Sequence, residues 1–297
     1  MKTLDRRKFI KLSAMAGAGV LIPRQIGAVG GMLEQLTGAL KSLGGNKDVP
    51  PPIPGVKFGM VIDMGLCIGC RRCMYACKRE NNVPDTISPP WIIVFETESK
   101  IGIEGHYVTP ERPSEGTTMM YTKLRRDKWY MPTQCNHCDN APCVKVCPTG
   151  ASYKDVDGLV VIDYNKCIGC RYCMTACPYN ARRFNWWKSE IPPDRINPLV
   201  PIRHHGIVEK CTFCIHRTRR GKPTRCVEVC PNRARVFGNL NDPDSEISKL
   251  IFSERNFRLK ERLNTEPRIW YLTRSKDKPM VWTTPLPPPE RVRGVKS

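Results

Sequence analysis

Long apolar segments and the sequence motifs of common enzymes are missing from this sequence, and aromatic residues make up only 8% of its 297 residues. No apolar run reaches the roughly 18 residues that cross a bilayer, which excludes a membrane span of its own. The longest run, Ala14 to Pro23, lies near the N-terminus. There is no P-loop, no dinucleotide glycine fingerprint and no nucleophile–base pair. We therefore expect no substrate-transforming site and no enzymatic activity in the chain alone.

Proline, glycine, cysteine and basic residues are abundant instead. The chain has 27 Pro, 22 Gly and 16 Cys, and 48 Lys and Arg stand against 28 Asp and Glu, giving a formal charge of +20. A loop-rich chain needs something besides a hydrophobic core to fix its shape, and the cysteines are the obvious candidates. Part of the basic excess would balance anionic metal clusters. We expect no nucleic-acid partner, because no nucleic-acid motif accompanies the charge.

The N-terminus carries an export pattern. Arg6 and Arg7 precede Phe-Ile-Lys and a weakly apolar segment, which is typical of a twin-arginine signal. We assign residues 1–28 to this signal, although an ordinary signal for unfolded export remains an alternative. Twin-arginine export carries folded proteins, so cofactors would be inserted while thiols are still reduced in the cytoplasm. The prediction is a periplasmic protein, peripheral to the inner membrane through its partners.

The rest of the chain divides by composition into three parts. Residues 29–56 read as a linker with one short amphipathic helix, and three consecutive prolines, 50–52, close it. Residues 57–246 form the main domain, interrupted by a β insertion at about 88–130 with predicted strands at 91–97 and 117–123. Residues 247–297 are predicted as an amphipathic helix over 247–263 and an extended, Pro- and Arg-rich tail.

The main domain contains an internal repeat. Residues 61–77 align with residues 161–177 without a gap, and twelve of the seventeen positions are identical. Each copy starts with a short predicted strand, at 59–63 and 159–163, and Asp157-Gly158 is a turn signal before the second. A match of this length indicates that one module was duplicated.

All sixteen cysteines fall into four groups of four, and none is left over. Groups one and three have the spacing C-x2-C-x2-C-x3-C, group two C-x2-C-x4-C-x3-C and group four C-x2-C-x11-C-x3-C. In chain order they are Cys67, Cys70, Cys73, Cys77; Cys135, Cys138, Cys143, Cys147; Cys167, Cys170, Cys173, Cys177; and Cys211, Cys214, Cys226, Cys230.

The spacing of groups one and three is typical of bacterial ferredoxins that bind [4Fe–4S] clusters. Three thiolates wrap one cubane, while the fourth, predicted at the start of a helix, reaches a neighbouring cluster. Structural zinc is an alternative, but zinc sites pair two C-x2-C units without a third cysteine three residues on. A disulfide framework is another, but cysteines two residues apart pair poorly.

Further motifs carry a family resemblance: residues 131–143 (MPTQCNHCDNAPC), 208–214 (VEKCTFC) and 235–243 (RVFGNLNDP). With the four groups in this order, residues 59–271 resemble the four-cluster iron–sulfur subunits of dimethyl sulfoxide reductase-type molybdopterin oxidoreductases. The resemblance extends to exported relatives serving periplasmic hydrogenases and nitrite reductases. It implies an α+β fold of two ferredoxin-like modules, each holding two [4Fe–4S] clusters, in a pseudo-symmetric arrangement.

The resemblance also implies which cysteines act together, because the family pairs group one with four and two with three. Four [4Fe–4S] clusters are expected on four sets of ligands. Set A is Cys67, Cys70, Cys73 and Cys230; set B is Cys77, Cys211, Cys214 and Cys226; set C is Cys135, Cys138, Cys143 and Cys177; and set D is Cys147, Cys167, Cys170 and Cys173.

The function implied by the resemblance is to relay single electrons between a catalytic subunit, expected to contain molybdopterin, and a quinone-reactive integral membrane subunit. Three alternatives stay open at this point: a stand-alone exported polyferredoxin, a subunit of a hydrogenase or multihaem cytochrome complex, and a structural zinc protein.

Five polar residues lie beside ligand cysteines in the sequence. His137 and His216 are not expected to be ligands, because each group of cysteines is already complete. Arg71, Arg72 and Arg171 could raise the reduction potential of a nearby cluster by their charge, or could serve only solubility.

Overall fold

The structure is a computed structural model that describes residues 49–85, 87, 89–97, 117–118, 123–125, 127–273, 291–292 and 294–295. These residues belong to one compact unit that spans Gly45–Ser297. The predicted signal, residues 29–48 of the linker with its predicted helix, and most of the tail lie outside the described residues. None of the helices in the described ranges has the length and apolar character that crossing a bilayer requires.

The described part of the chain combines short helices with small sheets. Its α-helices are α1 (Arg72–Glu80), α2 (Pro142–Lys145), α3 (Tyr172–Thr175), α4 (Ile215–Thr218), α5 (Arg225–Glu228) and α6 (Glu246–Ser253). Its strands are β1 (Phe58–Asp63), β2 (Ile93–Thr97), β3 (Thr117–Thr118), β4 (Trp129–Thr133), β5 (Ser152–Lys154), β6 (Val160–Ile162), β7 (Arg182–Phe184), β8 (Val208–Lys210), β9 (Arg235–Asn239), β10 (Asn256–Phe257) and β11 (Ile269–Leu272).

The largest sheet has the strand order β10-β11-β1-β9. Strand β1 is buried along its whole length, as expected for an apolar central strand, and confirms the strand predicted at 59–63. It pairs antiparallel with β9 and parallel with β11. Since β1 precedes cysteine group one and β9 follows group four, this pairing brings the two ends of the cysteine-bearing region together.

The β insertion forms a second sheet of order β3-β2-β4. Strand β2 confirms the predicted strand at 91–97, and β3 lies at the start of the one predicted at 117–123. Strand β4 was not predicted, because Pro132 interrupts a short segment that carries no alternating pattern. Pro132 lies opposite Val94 on β4, which is an edge strand of this sheet. Proline is tolerated on an edge strand because a backbone N–H that faces away from the sheet has no hydrogen bond to make.

Two antiparallel strand pairs link the cysteine groups. The β5–β6 hairpin leads from group two to group three, and β7–β8 leads from group three to group four. The predicted turn before the second repeat is confirmed at Gly158, whose φ is +77°. Strand β6 confirms the strand predicted at 159–163.

The C-terminal helix is shorter than predicted. We expected a helix over 247–263, but α6 ends at Ser253. The side-chain amide of Asn256 donates hydrogen bonds to the carbonyls of Ile251 and Glu254, which satisfies groups that another helical turn would have used. The chain then forms β10 and β11, so residues beyond 247 contribute to the main sheet rather than to a separate extension.

Candidate metal centres

Every cysteine group has the same local geometry. The third cysteine lies on a short helix, at Cys73, Cys143, Cys173 and Cys226, and the fourth follows four residues later. The sequence-based expectation that the fourth cysteine starts a helix was therefore wrong by one turn. In group one both cysteines lie on α1, where four residues advance about 6 Å, and in the other three groups the helix ends two residues before the fourth cysteine. This separation allows the third and fourth thiols to face different centres.

The loops of the two repeat copies share an unusual backbone conformation. Gly69 and Gly169 have φ of +72° and +69°, and Arg71 and Arg171 have φ of +56° and +64°. A Cβ on Gly169 would lie 2.0 Å from the carbonyl oxygen of Gly206, and one on Gly69 would meet the ring of Tyr130. Glycine is required at these two positions by left-handed backbone and by close neighbours together.

Three cavities are lined by three of the predicted sets. All four cysteines of set A line one cavity, those of set C a second and those of set D a third. Two cysteines of set B contact Asn81, whose side-chain amide is 3.6 Å from Cys77 Sγ and 3.5 Å from Cys214 Sγ. Burial raises the pKa of Cys77, and charge on Cys211, Cys214 and Cys226 raises it further.

The four sets follow one another in a row. Burial raises the pKa of Cys73, and charge on Cys226 of set B contributes to the rise. The pKa of Cys211 in set B is likewise raised by burial and by charge on Cys135 of set C. Finally, burial and charge on Cys143 raise the pKa of Cys173, which joins set C to set D. Neighbouring sets are therefore A and B, B and C, and C and D.

The donor set fits iron–sulfur clusters. All sixteen cysteines are free thiols. Burial raises the pKa of Cys67 and Cys214 to about 12 and that of Cys177 to about 11, so their thiolates form only beside cationic metal. Thiolates favour soft or borderline centres such as Fe–S clusters and zinc. In the described residues no three His, Cys, Asp or Glu side chains are placed to hold a single metal ion.

The histidines beside the ligands have other partners. His137 is stacked on Phe213 with ring centroids 4.0 Å apart, and its Nδ1 accepts a hydrogen bond of 3.1 Å from the N–H of Val160. His216 Nε2 lies 2.8 Å from Glu80 Oε1. Both rings are buried, and neither lines one of the cysteine cavities.

The arginines that contact sulfur differ from those expected. Arg71 and Arg72 line the cavity of set A and Arg171 lines that of set D, but Arg72 and Arg171 are exposed. Arg171 lies over the rings of Phe184 and Trp186. The buried guanidinium groups at the cysteines belong to Arg182 and Arg235. A sequence signal was present, because groups three and four both continue C-P-x-x-A-R, five residues from the last cysteine.

The two ends of the row differ in exposure. Val94 and Pro132 of the β insertion line the cavity of set A. At set D, Cys170 is exposed, and four large apolar side chains around it are 59–69% exposed: Ile168, Tyr172, Trp186 and Trp187. The insertion therefore covers one end of the row, and the other end presents an aromatic surface.

Comparisons with known proteins agree with this geometry. Two models of a 4Fe-4S dicluster domain match the chain, one over residues 66–151 and the other over residues 127–192 and 200–240. Two dicluster domains correspond to four [4Fe–4S] clusters.

Curated relatives cover most of the chain. A candidate iron–sulfur subunit of a dimethyl sulfoxide reductase from Halobacterium salinarum is 46% identical over 72% of this chain and 78% of its own length. An Hdr-like menaquinol oxidoreductase iron–sulfur subunit of Archaeoglobus fulgidus is 34% identical over 90% of this chain and 97% of its own length. The iron–sulfur cluster-binding subunit of a menaquinone reductase from Nitratidesulfovibrio vulgaris is 38% identical over 74% of this chain and 89% of its own length.

Fold, cysteine sets and dicluster matches together define a ferredoxin-like electron carrier with four [4Fe–4S] clusters. The chain belongs to the family of iron–sulfur subunits of dimethyl sulfoxide reductase-type oxidoreductases. Its function is electron transfer as a subunit of an oxidoreductase complex. The Archaeoglobus relative covers 90% of the chain, so that similarity extends beyond residues 59–271, the limits of the resemblance in the sequence.

Proposed function

We propose that the sixteen cysteines ligate the four clusters as sets A to D and that the chain relays single electrons between a molybdopterin-containing catalytic subunit and a quinone-reactive membrane subunit. The observation that carries this proposal is that the cysteines of sets A, C and D line three separate cavities, each set as a whole. The clusters supply the one-electron redox chemistry. The chain's own residues fix the spacing of the sites, exclude water from them and supply the surfaces for the partners, and no substrate is transformed within the chain.

The strand pairings support two pseudo-symmetric modules. The β1–β9 pair joins groups one and four, which supply sets A and B. The β5–β6 pair joins groups two and three, which supply sets C and D. Both pairs are antiparallel. In one, β1 precedes group one and β9 follows group four; in the other, β6 precedes group three and β5 follows group two. Each module then holds two clusters that exchange one cysteine.

The exposed end of the row is the proposed exit to a partner subunit. Trp186 packs edge-on against Phe184 with ring centroids 4.6 Å apart, and Trp187 beside it is 69% exposed. Large aromatic side chains are enriched at protein interfaces, where they bury much area with little loss of entropy. A partner that covers this surface would also shield set D from water and shorten the distance to its own redox centre.

The relatives' names favour a quinone-linked complex. Two of them are subunits of a menaquinol oxidoreductase and of a menaquinone reductase. For this chain we propose the same kind of membrane partner, which would exchange electrons with a quinone. A stand-alone polyferredoxin, or a subunit of a hydrogenase or multihaem cytochrome complex, remains the alternative that the following experiment separates.

The experiment is native purification of the complex through a tag on this chain. We expect co-purification of a molybdopterin subunit and a membrane subunit, and reduction of the iron–sulfur clusters when a quinol is added, seen as bleaching of the visible absorbance. Replacing Trp186 and Trp187 by Ala should release a partner while iron content stays unchanged. Phe252→Ala is the control, because Phe252 is 86% exposed on α6. A monodisperse free chain would favour the stand-alone carrier instead.

For the location we propose twin-arginine export of the folded, cluster-loaded chain to the periplasm. The basis is the Arg6-Arg7 pair with its weakly apolar segment, together with clusters that must be inserted before export. Lys at both positions should leave the cluster-loaded chain in the cytoplasm, as measured by cell fractionation and immunoblotting. Normal periplasmic accumulation of that variant would contradict the proposed route.

A further inference from the structure

Two buried arginines occupy equivalent positions in the two halves of the row. Arg182 begins β7, five residues after Cys177, and Arg235 begins β9, five residues after Cys230. Their side chains are almost fully buried, with 1% and 2% exposure. A guanidinium stays protonated at any physiological pH, and a buried charge is costly unless it is paired. The groups that surround these two guanidinium groups therefore indicate which negative charge they are placed to balance.

Arg182 lies between sets C and D. Its Nη2 donates a hydrogen bond of 3.0 Å to Cys143 Sγ of set C and one of 2.6 Å to Ser152 Oγ. The side chain lines the cavity of set C and also that of set D. Burial lowers its pKa, but charge on Cys143 and on Cys173 of set D more than offsets this, and the net pKa is raised.

Arg235 lies between sets A and B in the same way. Its side chain lines the cavity of set A, and Nη1 is 3.8 Å from Cys226 Sγ of set B and 2.9 Å from Gln134 Oε1. Burial lowers its pKa as well, and charge on Cys73, Cys226 and Cys230 raises it further than burial lowers it. The thiols of two different sets therefore act on one guanidinium.

Neither arginine has a carboxylate partner among the described residues. Elsewhere in the described chain, buried Arg203 and Arg219 are paired with Glu209 and with Asp157. In contrast, Arg182 Nε and Nη1 and Arg235 Nη2 are buried without a hydrogen-bond partner in the structure. Sulfur atoms of a bound cluster are the acceptors that would satisfy these N–H groups, since the two side chains line the cavities.

We propose that Arg182 and Arg235 are each shared by two neighbouring clusters and raise the reduction potentials of both. This inference rests on the proposed cysteine sets. An added electron makes a cluster more negative, so a fixed cation within a dry interior favours the reduced state. Because each cation touches two sets, its effect applies to a pair of clusters and leaves the other pair little changed.

The same charge at an exposed position should matter less. Arg171 lies between Cys170 and Cys173 in the sequence, but it is exposed and lies over aromatic rings. Solvent and salt screen its charge. Arg171→Gln is therefore a matched control for Arg182→Gln, because both remove one positive charge near set D and only one of them removes a buried charge.

The test is an EPR-monitored redox titration of the intact, cluster-loaded protein. In Arg182→Gln we expect the reduction potentials of two clusters to fall by at least 59 mV each, which corresponds to a tenfold fall in the equilibrium constant for a one-electron reduction. In Arg235→Gln we expect the other two to fall. In Arg171→Gln the equilibrium constant for reduction of every cluster should change by less than threefold.

Lys variants keep the test decisive if the Gln variants cannot hold iron. Lysine retains the charge but loses the planar fork that contacts two sets, so each reduction potential of the pair should change by less than tenfold in the equilibrium constant for reduction. A tenfold or larger fall in these charge-retaining variants, or Gln shifts no larger than that of Arg171→Gln, would overturn the proposal. Iron and sulfide analysis of the unaltered protein separates this from the proposed function: fewer than four [4Fe–4S] clusters would contradict the sets, whereas four clusters with unshifted potentials would contradict only the role of the arginines.

Discussion

At the scale of single residues, glycine in the repeated Ile-Gly dipeptide has a structural reason. The two glycines of this dipeptide, Gly69 and Gly169, each lie between the first two cysteines of a repeat copy. In the structure, Gly169 also combines left-handed backbone with the nearby carbonyl of Gly206, and Gly69 does so with the ring of Tyr130. The identity of those neighbours could not be predicted, because Tyr130 and Gly206 are distant in the sequence and belong to segments that differ between the two copies.

Gly169→Ala should therefore destabilise the protein more than an alanine at a left-handed glycine with free space around it. Left-handed backbone costs a non-glycine residue about 1–2 kcal/mol, and the overlap with Gly206 adds about 1–3 kcal/mol. The measurement is the temperature at which visible cluster absorbance is lost, at one fixed heating rate. Gly150→Ala is the control, because Gly150 has φ +64° and no atom within 4 Å of the added Cβ. Equal losses would show that only the backbone matters.

At the scale of elements, one buried ion pair links the β insertion to the hairpin before group four. Glu209 of β8 pairs with Arg203 at 2.5 Å and accepts a hydrogen bond of 2.7 Å from Trp91 Nε1. Arg203 Nη2 also donates to the carbonyl of Asn82, at 2.6 Å, just beyond α1. These contacts connect segments that flank groups one, three and four. No pattern in the sequence indicates them, since Trp91 and Asn82 lie more than a hundred residues from their partners.

Glu209→Ala should be strongly destabilising. The substitution leaves the buried guanidinium of Arg203 without its carboxylate, which costs about 3–5 kcal/mol. The loss of stability is measured as the fall in the temperature at which visible cluster absorbance is lost. Asp244→Ala removes an exposed contact with Lys249, 4.0 Å long with side chains 77% and 64% exposed, and should cost less than about 1 kcal/mol. A Glu209 effect as small as this control would mean that the pair does not hold the insertion in place.

At the scale of the whole molecule, the clusters are expected to substitute for part of the hydrophobic core. Many of the side chains that form the buried clusters of apolar residues are cysteines, among them Cys73, Cys135, Cys211 and Cys226. If iron is removed, these thiols become protonated and the cavities that they line are left empty. Metal binding energy is then folding energy, as in other small metal-dependent folds.

Treatment with an iron chelator under anaerobic, reducing conditions should therefore unfold the main domain. We expect loss of visible absorbance together with loss of the near-ultraviolet circular dichroism signal and an increase in hydrodynamic radius. The reducing agent alone, without chelator, is the control. An iron-free chain that keeps its tertiary signal and its radius would show that the hydrophobic core alone is sufficient.

How much of this molecule the sequence predicts depends on whether the signal is local. The four cysteine groups, the duplicated strand and loop, and the first strand of the insertion were all predicted, because each is marked by spacing or alternation within a few residues. The end of α6 and the existence of β4 were not, since a side-chain cap at Asn256 and the partner strand β2 decide them. Arg182 and Arg235 were missed although a local C-P-x-x-A-R run ends at each of them, because only the fold shows that these arginines are buried beside the cysteines.

The pairing of the first cysteine group with the last has a consequence for biosynthesis. Cys67, Cys70 and Cys73 leave the ribosome early, yet the fourth ligand that we propose for their cluster is Cys230, and β1 is flanked by β9 and β11 from the far end of the chain. Sets C and D, by contrast, draw all their cysteines from residues 135–177. Cluster loading is therefore expected to begin in the middle of the nascent chain and to finish only after translation is nearly complete.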